Sequence, residues 1–340
     1  MSSNFTDLSE DHEALAAALR RMGVAEEGAT IVVRPLTGGV SSNVLAVEVG
    51  GRRFCLKQAL PQLKVAKLWT APIDRVYGEI DWLETVAAIE PTMVPKIHGV
   101  DRPTGSFAMD FLDPADHPNW KARLLAGEVD PEVAARVGAG LGRIHRETAR
   151  RPELWATFAT DDNFDALRID PYLGEIARVH PDRAALVEAV IATTRSTKLA
   201  LVHGDVSPKN ILLGPQGPVL LDAECAWWGD PAFDLAFCAN HLLLKAVKLP
   251  ARADALILSF HRLVEAHLAA VDWEPAEALE ARAAALLSCL LLARVDGKSP
   301  AEYLTDPERD TVRRTALHLI DARPTRLATL AADFERNIRR

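Results

Sequence analysis

The stretch Leu199-Ala-Leu-Val-His203-Gly-Asp205-Val-Ser-Pro-Lys-Asn210-Ile-Leu-Leu213 decides the fold, together with its continuation Val219-Leu-Leu-Asp222-Ala-Glu224-Cys-Ala-Trp-Trp-Gly229-Asp-Pro-Ala-Phe-Asp234-Leu-Ala236. Two short apolar runs, Leu199 to Val202 and Val219 to Leu221, read as buried strands, and each ends on a polar cluster where a strand would surface. Ile211 to Leu213 and a Gly-Pro-Gln-Gly-Pro turn at 214–218 lie between them. The order strand, loop, strand, turn, strand brings Asp205, Asn210 and Asp222 close together. Phosphoryl transfer from a nucleotide uses that set. One carboxylate orients the attacking hydroxyl and takes its proton, and an Asn five residues on and a later strand-end Asp hold the metal. Acidic residues at turns are more often local backbone caps. Here the His-Gly-Asp-x4-Asn-Ile-Leu context with a strand-terminal Asp outweighs that reading.

These residues resemble the catalytic core of the aminoglycoside phosphotransferase and choline kinase superfamily, which shares the protein-kinase fold. The resemblance rests on 203–210, on Asp222-Ala-Glu224, and on the Gly-Asp-Pro-x-x-Asp-Leu-Ala segment at 229–236. It implies an α+β, two-lobed, protein-kinase-like fold. A small N-terminal nucleotide-binding lobe (1–112) would carry an antiparallel sheet, and a larger helical lobe (113–340) the catalytic loop and acceptor pocket. It also implies Asp205 as catalytic base, Asn210 and Asp222 as Mg2+ ligands, Asp234 as a buried brace for the catalytic loop, and ATP as phosphoryl donor. Glu224 would assist the metal through water or pair with a nearby base, and His203 would support the loop by hydrogen bonds.

The N-terminal part supplies what such a site needs. Ile31–Leu36, Asn43–Val49 and Arg52–Gln58 read as strands, with Gly50-Gly51 as the tight turn between the last two. The loop Thr37 to Asn43, containing Gly38, Gly39, Ser41 and Ser42, is small enough for backbone amides to approach phosphates. Lys57 follows on a strand, and Glu79 on a helix from about 73 to 88 is placed to hold it toward a nucleotide. Related chains often have Arg-Glu where this one has Gly78-Glu79. Residues 59–72 form an insertion carrying Lys64, Lys67 and Trp69, read either as a lid or as a surface flap. Strands at 95–100 and 106–111 lead to Asp113-Pro114, and the resemblance puts adenine against the backbone near Met109 to Phe111.

Composition narrows the class. The 340 residues are 49% hydrophobic, enough for a substantial core, and the net charge of −8 argues against nucleic-acid binding while permitting a cationic substrate without demanding one. Cys55, Cys225, Cys238 and Cys289 sit in apolar surroundings without a CxxC pair, which fits a reducing cytoplasm. The N-terminus reads as no targeting segment, and the uncharged run 283–293 is too short to span a bilayer and reads as a buried helix. Membrane and nucleic acid are therefore not expected partners, and oligomeric state is open. Ser9 and Gly23 bracket an amphipathic helix at 10–22. Asp130-Pro131 opens another, with Val133, Val137, Leu141 and Ile144 as its core stripe, His145 on that face, and Gly138 and Gly142 inviting close approach of a neighbour. Helices at 251–270, 276–295 and 307–321 follow.

The expected partner is a small-molecule hydroxyl acceptor, and three classes compete. An aminoglycoside suits an acidic pocket, although the chain lacks the acidic tail typical of resistance enzymes. Methylthioribose suits the Asp-x-Glu-x-Ala-x-x-Gly pattern at 222–229, Phe233-Asp234 and the pair Arg313-Arg314, although that branch usually lacks the Asn at 210. Choline or ethanolamine suits Trp227 and Trp228 if they line the pocket and stack on a cationic head group, although nothing fixes a cage and core packing is the expected role of at least one of them. A protein kinase is disfavoured because only about a dozen residues separate Asp222 from the next helix, too few for a peptide-seating segment. A nucleotide-binding pseudokinase would have no need of Lys57, Asp205, Asn210 and Asp222 together.

Overall fold

The computed structural model describes residues 5–36, 42–61, 73 and 75–339. The chain divides into two compact units, Met1–His117 and Pro118–Arg340.

In the first unit the elements run α1 (His12–Arg21), β1 (Ile31–Pro35), β2 (Ser42–Val49), β3 (Arg52–Ala59), α2 (Arg75–Ala87), β4 (Ile97–Asp101) and β5 (Ser106–Asp110). The strands form one antiparallel sheet in the order β1-β2-β3-β5-β4. Gly50 and Gly51 both adopt positive φ (57° and 76°), as the two-residue turn between β2 and β3 requires. Leu15, Ala18 and Leu19 of α1, with Met22 at its C-terminal cap, bury against Leu45, Val47 and Leu56 of the sheet. The α1 cap is Asp11, whose carboxylate accepts the Glu13 and Ala14 amides, and not the expected Ser9. Residues 62–72 of the expected insertion lie outside the described residues.

In the second unit α3 (Trp120–Leu125) and α4 (Pro131–Ala149) are followed by α5 (Asp161–Phe164), a π-type helical stretch (Asp165–Gly174), α6 (Glu175–Val179) and α7 (Ala184–Ser196). Then come β6 (Ala200–Val202), β7 (Ile211–Gly214), β8 (Gly217–Leu220) and β9 (Trp227–Gly229). The chain ends with α8 (Ala232–Lys248), α9 (Ala253–Leu268), α10 (Ala276–Asp296), α11 (Asp306–Ala322) and α12 (Leu327–Ile338). Asp130 caps α4 through the Glu132 amide with Pro131 in the first turn, as the sequence predicts. β7 and β8 form a hairpin, and β6 pairs with β9, a strand not foreseen from the sequence. Nearly all of α8 is buried, so it acts as the central post of this unit. The run 283–293 is buried within α10. No helix among the described residues is long and apolar enough to cross a membrane.

The two glycines of α4 meet α9 and its C-terminal end. A Cβ on Gly138 would lie 2.2 Å from the Leu263 carbonyl oxygen, and one on Gly142 would lie 2.7 Å from the Ala270 Cβ. Backbone cannot yield as a flexible side chain would. Gly138→Ala gains about 1 kcal/mol of helix propensity but is expected to destabilise the chain by about 1–3 kcal/mol through overpacking. Chemical denaturation measures it, and a variant as stable as the parent or more so would contradict the close packing.

Candidate active site

The loop from His203 to Asn210 is held from behind by one buried carboxylate. Asp234, in the first turn of α8 and fully buried, accepts the His203 amide (2.8 Å, Oδ2) and the Gly204 amide (2.9 Å, Oδ1), and His145 Nε2 donates to Oδ2 at 3.2 Å. His145 Nδ1 in turn lies 3.0 Å from His267 Nε2. Burial, with His145 second, pushes the His267 pKa well down, so a neutral ring donates one proton along the chain. Gly204 has φ 76°, and a Cβ there would sit 2.5 Å from the Cys225 carbonyl. Both facts demand glycine.

His203 plays the supporting role expected of it. Its Nε2 donates to the Leu221 carbonyl (3.1 Å), and its Nδ1 accepts the Asp205 amide (3.1 Å). Burial lowers its pKa and keeps the ring neutral, as that tautomer requires. The chain thus turns through Asp205 with its backbone pinned on both sides.

Three side chains converge on one oxygen of Asp205. Asn210 Nδ2 donates to Oδ2 at 2.9 Å and to the Asp205 carbonyl at 3.1 Å, Arg168 lies 2.9 Å from Oδ2, and Lys209 lies 3.2 Å from it. Among the described residues nothing hydrogen-bonds Oδ1. Arg168 also donates to the Gly204 carbonyl at 2.6 Å. It comes from the π-type stretch, where Pro171 removes one amide from the helical ladder. Asp205 lines a cavity of about 190 Å³ with Lys121, Tyr172, His241, Lys245, Arg294 and Tyr303 among its neighbours. A larger cavity of about 360 Å³, lined by Val190, Ala285, Leu286, Cys289 and Ile320, holds none of these residues.

Asn210 closes the β7–β8 hairpin: its carbonyl accepts the Leu221 amide at 2.9 Å, which sets Asp222 beside it. Asp222 has φ 68°, a left-handed conformation that costs a non-glycine residue about 1–3 kcal/mol and collects at functional sites. With Nδ2 committed to Asp205, Asn210 presents Oδ1 as an oxygen donor. Among the described residues no group of three or more His, Cys, Asp or Glu could hold a metal. One carboxylate and one amide oxygen suit Mg2+, which keeps waters and substrate phosphates in its remaining positions. The donor set fits.

In the first unit Lys57 and Glu79 form a buried ion pair, Nζ to carboxylate 2.8 and 2.7 Å, delivered by β3 and α2. Met109 lies within β5, opposite Cys55 and Ile97 in the sheet register, and Phe111 follows just after the strand ends. Ser42 opens β2 and is buried. Gly38, Gly39 and Ser41 lie outside the described residues.

The side chains weighed as acceptor contacts lie elsewhere. Trp227 is in β9, stacked on Phe164 at 4.0 Å, and Trp228 is buried beside it in the same strand. Neither lines the cavity next to Asp205, because pairing with β6 commits both to the core. Arg313 is bound to Asp296 (2.7 Å) and Asp310, and Arg314 to Thr311, on α11. Asp230 of the Gly-Asp-Pro segment accepts the Ala232 amide (3.0 Å) and Arg282 (2.9 and 3.1 Å), a structural anchor for α8. Glu224 accepts Asn163 through its backbone carbonyl. Arg168, Lys245 and Arg294 were not foreseen. A lysine interrupting Leu242-Leu243-Leu244-Lys245-Ala246 was the one signal available for Lys245.

A family model described as Phosphotransferase enzyme family (APH) matches residues 32–261. The chain belongs to the phosphotransferase enzyme family. This phosphotransferase, a small-molecule kinase, is 24% identical over 287 residues to the methylthioribose kinase of Klebsiella pneumoniae, covering 75% of this chain and 71% of that protein. Among solved structures it is similar to a choline/ethanolamine kinase family protein from Mesorhizobium loti, with TM-score 0.51, 17% identity and coverage of 95% of this chain and 98% of that one. It is also similar to an amicoumacin kinase in complex with AMP-PNP, Ca2+ and Ami, with TM-score 0.53, 13% identity and coverage of 93% and 95%. These likenesses show the α+β, protein-kinase-like fold that the motif resemblance implied.

Asp234 is the member whose loss should be felt furthest. Asp234→Ala strands three buried donors and is expected to cost about 3–5 kcal/mol in urea unfolding. An unchanged midpoint would mean the loop is held by something other than this carboxylate.

Proposed function

We propose that the chain transfers the γ-phosphoryl group of ATP to a hydroxyl of a small molecule, with Asp205 as the general base. The observation that carries this reading is the arrangement at Asp205: three donors fix Oδ2 while Oδ1 is left unbonded on a carboxylate that lines a cavity. A hydroxyl bound there would donate to Oδ1, be aimed at the phosphorus, and lose its proton as its charge develops. Lys57, held by Glu79, would neutralise nucleotide phosphate oxygens, and the loop 37–43 would cover them with amides. The backbone near Met109 and Phe111 would receive the adenine. Asn210 Oδ1 and the Asp222 carboxylate would hold Mg2+, which would supply positive charge to offset that of the nucleotide phosphates. Arg168 would keep Asp205 oriented through Oδ2 and the Gly204 carbonyl.

Direct transfer places the chemistry in positioning and electrostatics, so single substitutions should separate cleanly. Asp205→Asn should lower kcat by about 10²- to 10⁴-fold with ATP affinity nearly intact, measured as acceptor-dependent ADP formation. Parent-like turnover in that variant would remove Asp205 from the mechanism. Asp222→Ala, or EDTA added to the parent, should abolish Mg2+-dependent nucleotide binding in calorimetry; unchanged affinity with Mg2+ would move the metal site elsewhere. Lys57→Met should raise the KM for ATP and leave that for the acceptor unaltered, and the opposite pattern would exclude Lys57 from the nucleotide site.

A further inference from the structure

We infer that the cavity beside Asp205 is an anion subsite, and that the acceptor is an alcohol carrying a fixed negative charge, a carboxylate or a phosphate, rather than a cationic aminoglycoside or choline. This rests on the phosphotransfer reading for the role of the neighbouring hydroxyl, but the subsite itself rests on the cavity alone.

Four cations line it, Lys121 from α3, Lys209 from the catalytic loop, Lys245 from α8 and Arg294 from α10, against two acids, Asp205 and Glu302. Lys209 is paired with Asp205, and Lys121 with Glu302. Lys245 and Arg294 are paired with no acid among the described residues. Lys245 is 1% exposed; its Nζ reaches only the His241 carbonyl, at 3.4 Å, and the face of Tyr303, 5.1 Å away. Arg294 is 8% exposed; its Nη1 alone donates to Ser299 and the Tyr172 hydroxyl, and its Nε is unpartnered. The Tyr303 hydroxyl is also buried without a partner.

Burying a cation without an acid is costly, and a core helix would lose nothing by carrying leucine at 245. A chain of net charge −8 that collects unpaired buried cations on one cavity wall has inverted its own sign at that place. An anionic group of the ligand supplies the missing partner. The aromatic residues there already face cations of the protein, Tyr303 meeting Lys121 and Lys245, Tyr172 meeting Arg168 and Arg294, and Phe237 meeting Arg168, which disfavours them as a cage for a choline head group.

Protonation follows from the same geometry. Burial first, then Lys121 and Arg294, push Lys245 down to about 7, opposed weakly by Cys238 and Glu302, while His241 is held neutral by burial and by Arg294, Lys245, Lys209 and Lys121. An incoming anion favours the ammonium form, so binding takes up a proton where the free side chain is largely neutral. Affinity should therefore fall as pH rises above about 7.

The test is isothermal titration of the full chain with sulfate, whose charge does not change between pH 6 and 9, with acetate as the carboxylate arm. Saturable binding should weaken about 10- to 100-fold in Lys245→Met and in Arg294→Met, less in Arg294→Lys, and should weaken with rising pH in the parent but not in Lys245→Met. Acetate binding better than sulfate points to a carboxylate, the reverse to a phosphate. Lys245→Met keeps the side-chain volume and removes a buried charge, so its melting temperature should not fall. Absence of saturable binding by either anion, or equal affinity in the parent and both methionine variants, overturns the subsite. Acceptor-dependent ADP formation with glycerate, glycerol 3-phosphate, glycerol, choline and kanamycin is read in parallel. Efficient turnover of choline or kanamycin with a KM unmoved by Lys245→Met overturns the anionic acceptor. If sulfate or acetate binds as expected and no alcohol of any charge is phosphorylated, the phosphotransfer reading fails and the subsite stands.

Discussion

The rest of the site depends on the carboxylate of Asp234. It lies in the fully buried first turn of α8 and binds two successive amides, those of His203 and Gly204, while His145 reaches it from α4. A buried charge is tolerable only when its acceptor sites are filled, so the loop cannot leave without exposing an unpaired carboxylate in the core. That constraint sets where β6 ends, forces the left-handed turn at Gly204, and directs Asp205 toward the cavity. His203 then ties the loop to the Leu221 carbonyl, one residue before Asp222. Asp205, proposed as the base, and Asn210 and Asp222, proposed to hold the metal, thereby share one rigid frame, as a reaction that relies on positioning requires.

Much of this was legible in the sequence where chemistry is local. Asp205, Asn210 and Asp222 sit at strand ends whose apolar runs are short and unmistakable, and the hairpin between them follows from its turn residues. The strands of the first unit, the Gly50-Gly51 turn and the Asp130-Pro131 helix start belong to the same class of signal. Gly138 and Gly142 announced a close neighbour without saying which. That neighbour is α9 and its end, and the contact is visible only in three dimensions.

What was not legible is equally specific. Core packing was the expected role of at least one of Trp227 and Trp228, but nothing in the local sequence reveals that β9 pairs with β6 and commits both rings to the core. Arg168 lies in a stretch whose winding around Pro171 has no periodic signature, and its partner Asp205 is remote in sequence. The overall acidity of the chain suggested that a cationic acceptor was admissible. The charges facing the cavity are of the opposite sign, because helix faces sort residues that composition averages together.

The account stands or falls on where the nucleotide phosphates sit. The most direct measurement is a crystal structure with Mn2+ and a non-hydrolysable ATP analogue, the metal located by its anomalous scattering. The account predicts a metal bound by Asn210 Oδ1 and the Asp222 carboxylate, with the terminal phosphate facing Asp205. A metal and triphosphate bound away from Asn210 and Asp222, with Asp205 remote from the terminal phosphate, would contradict it.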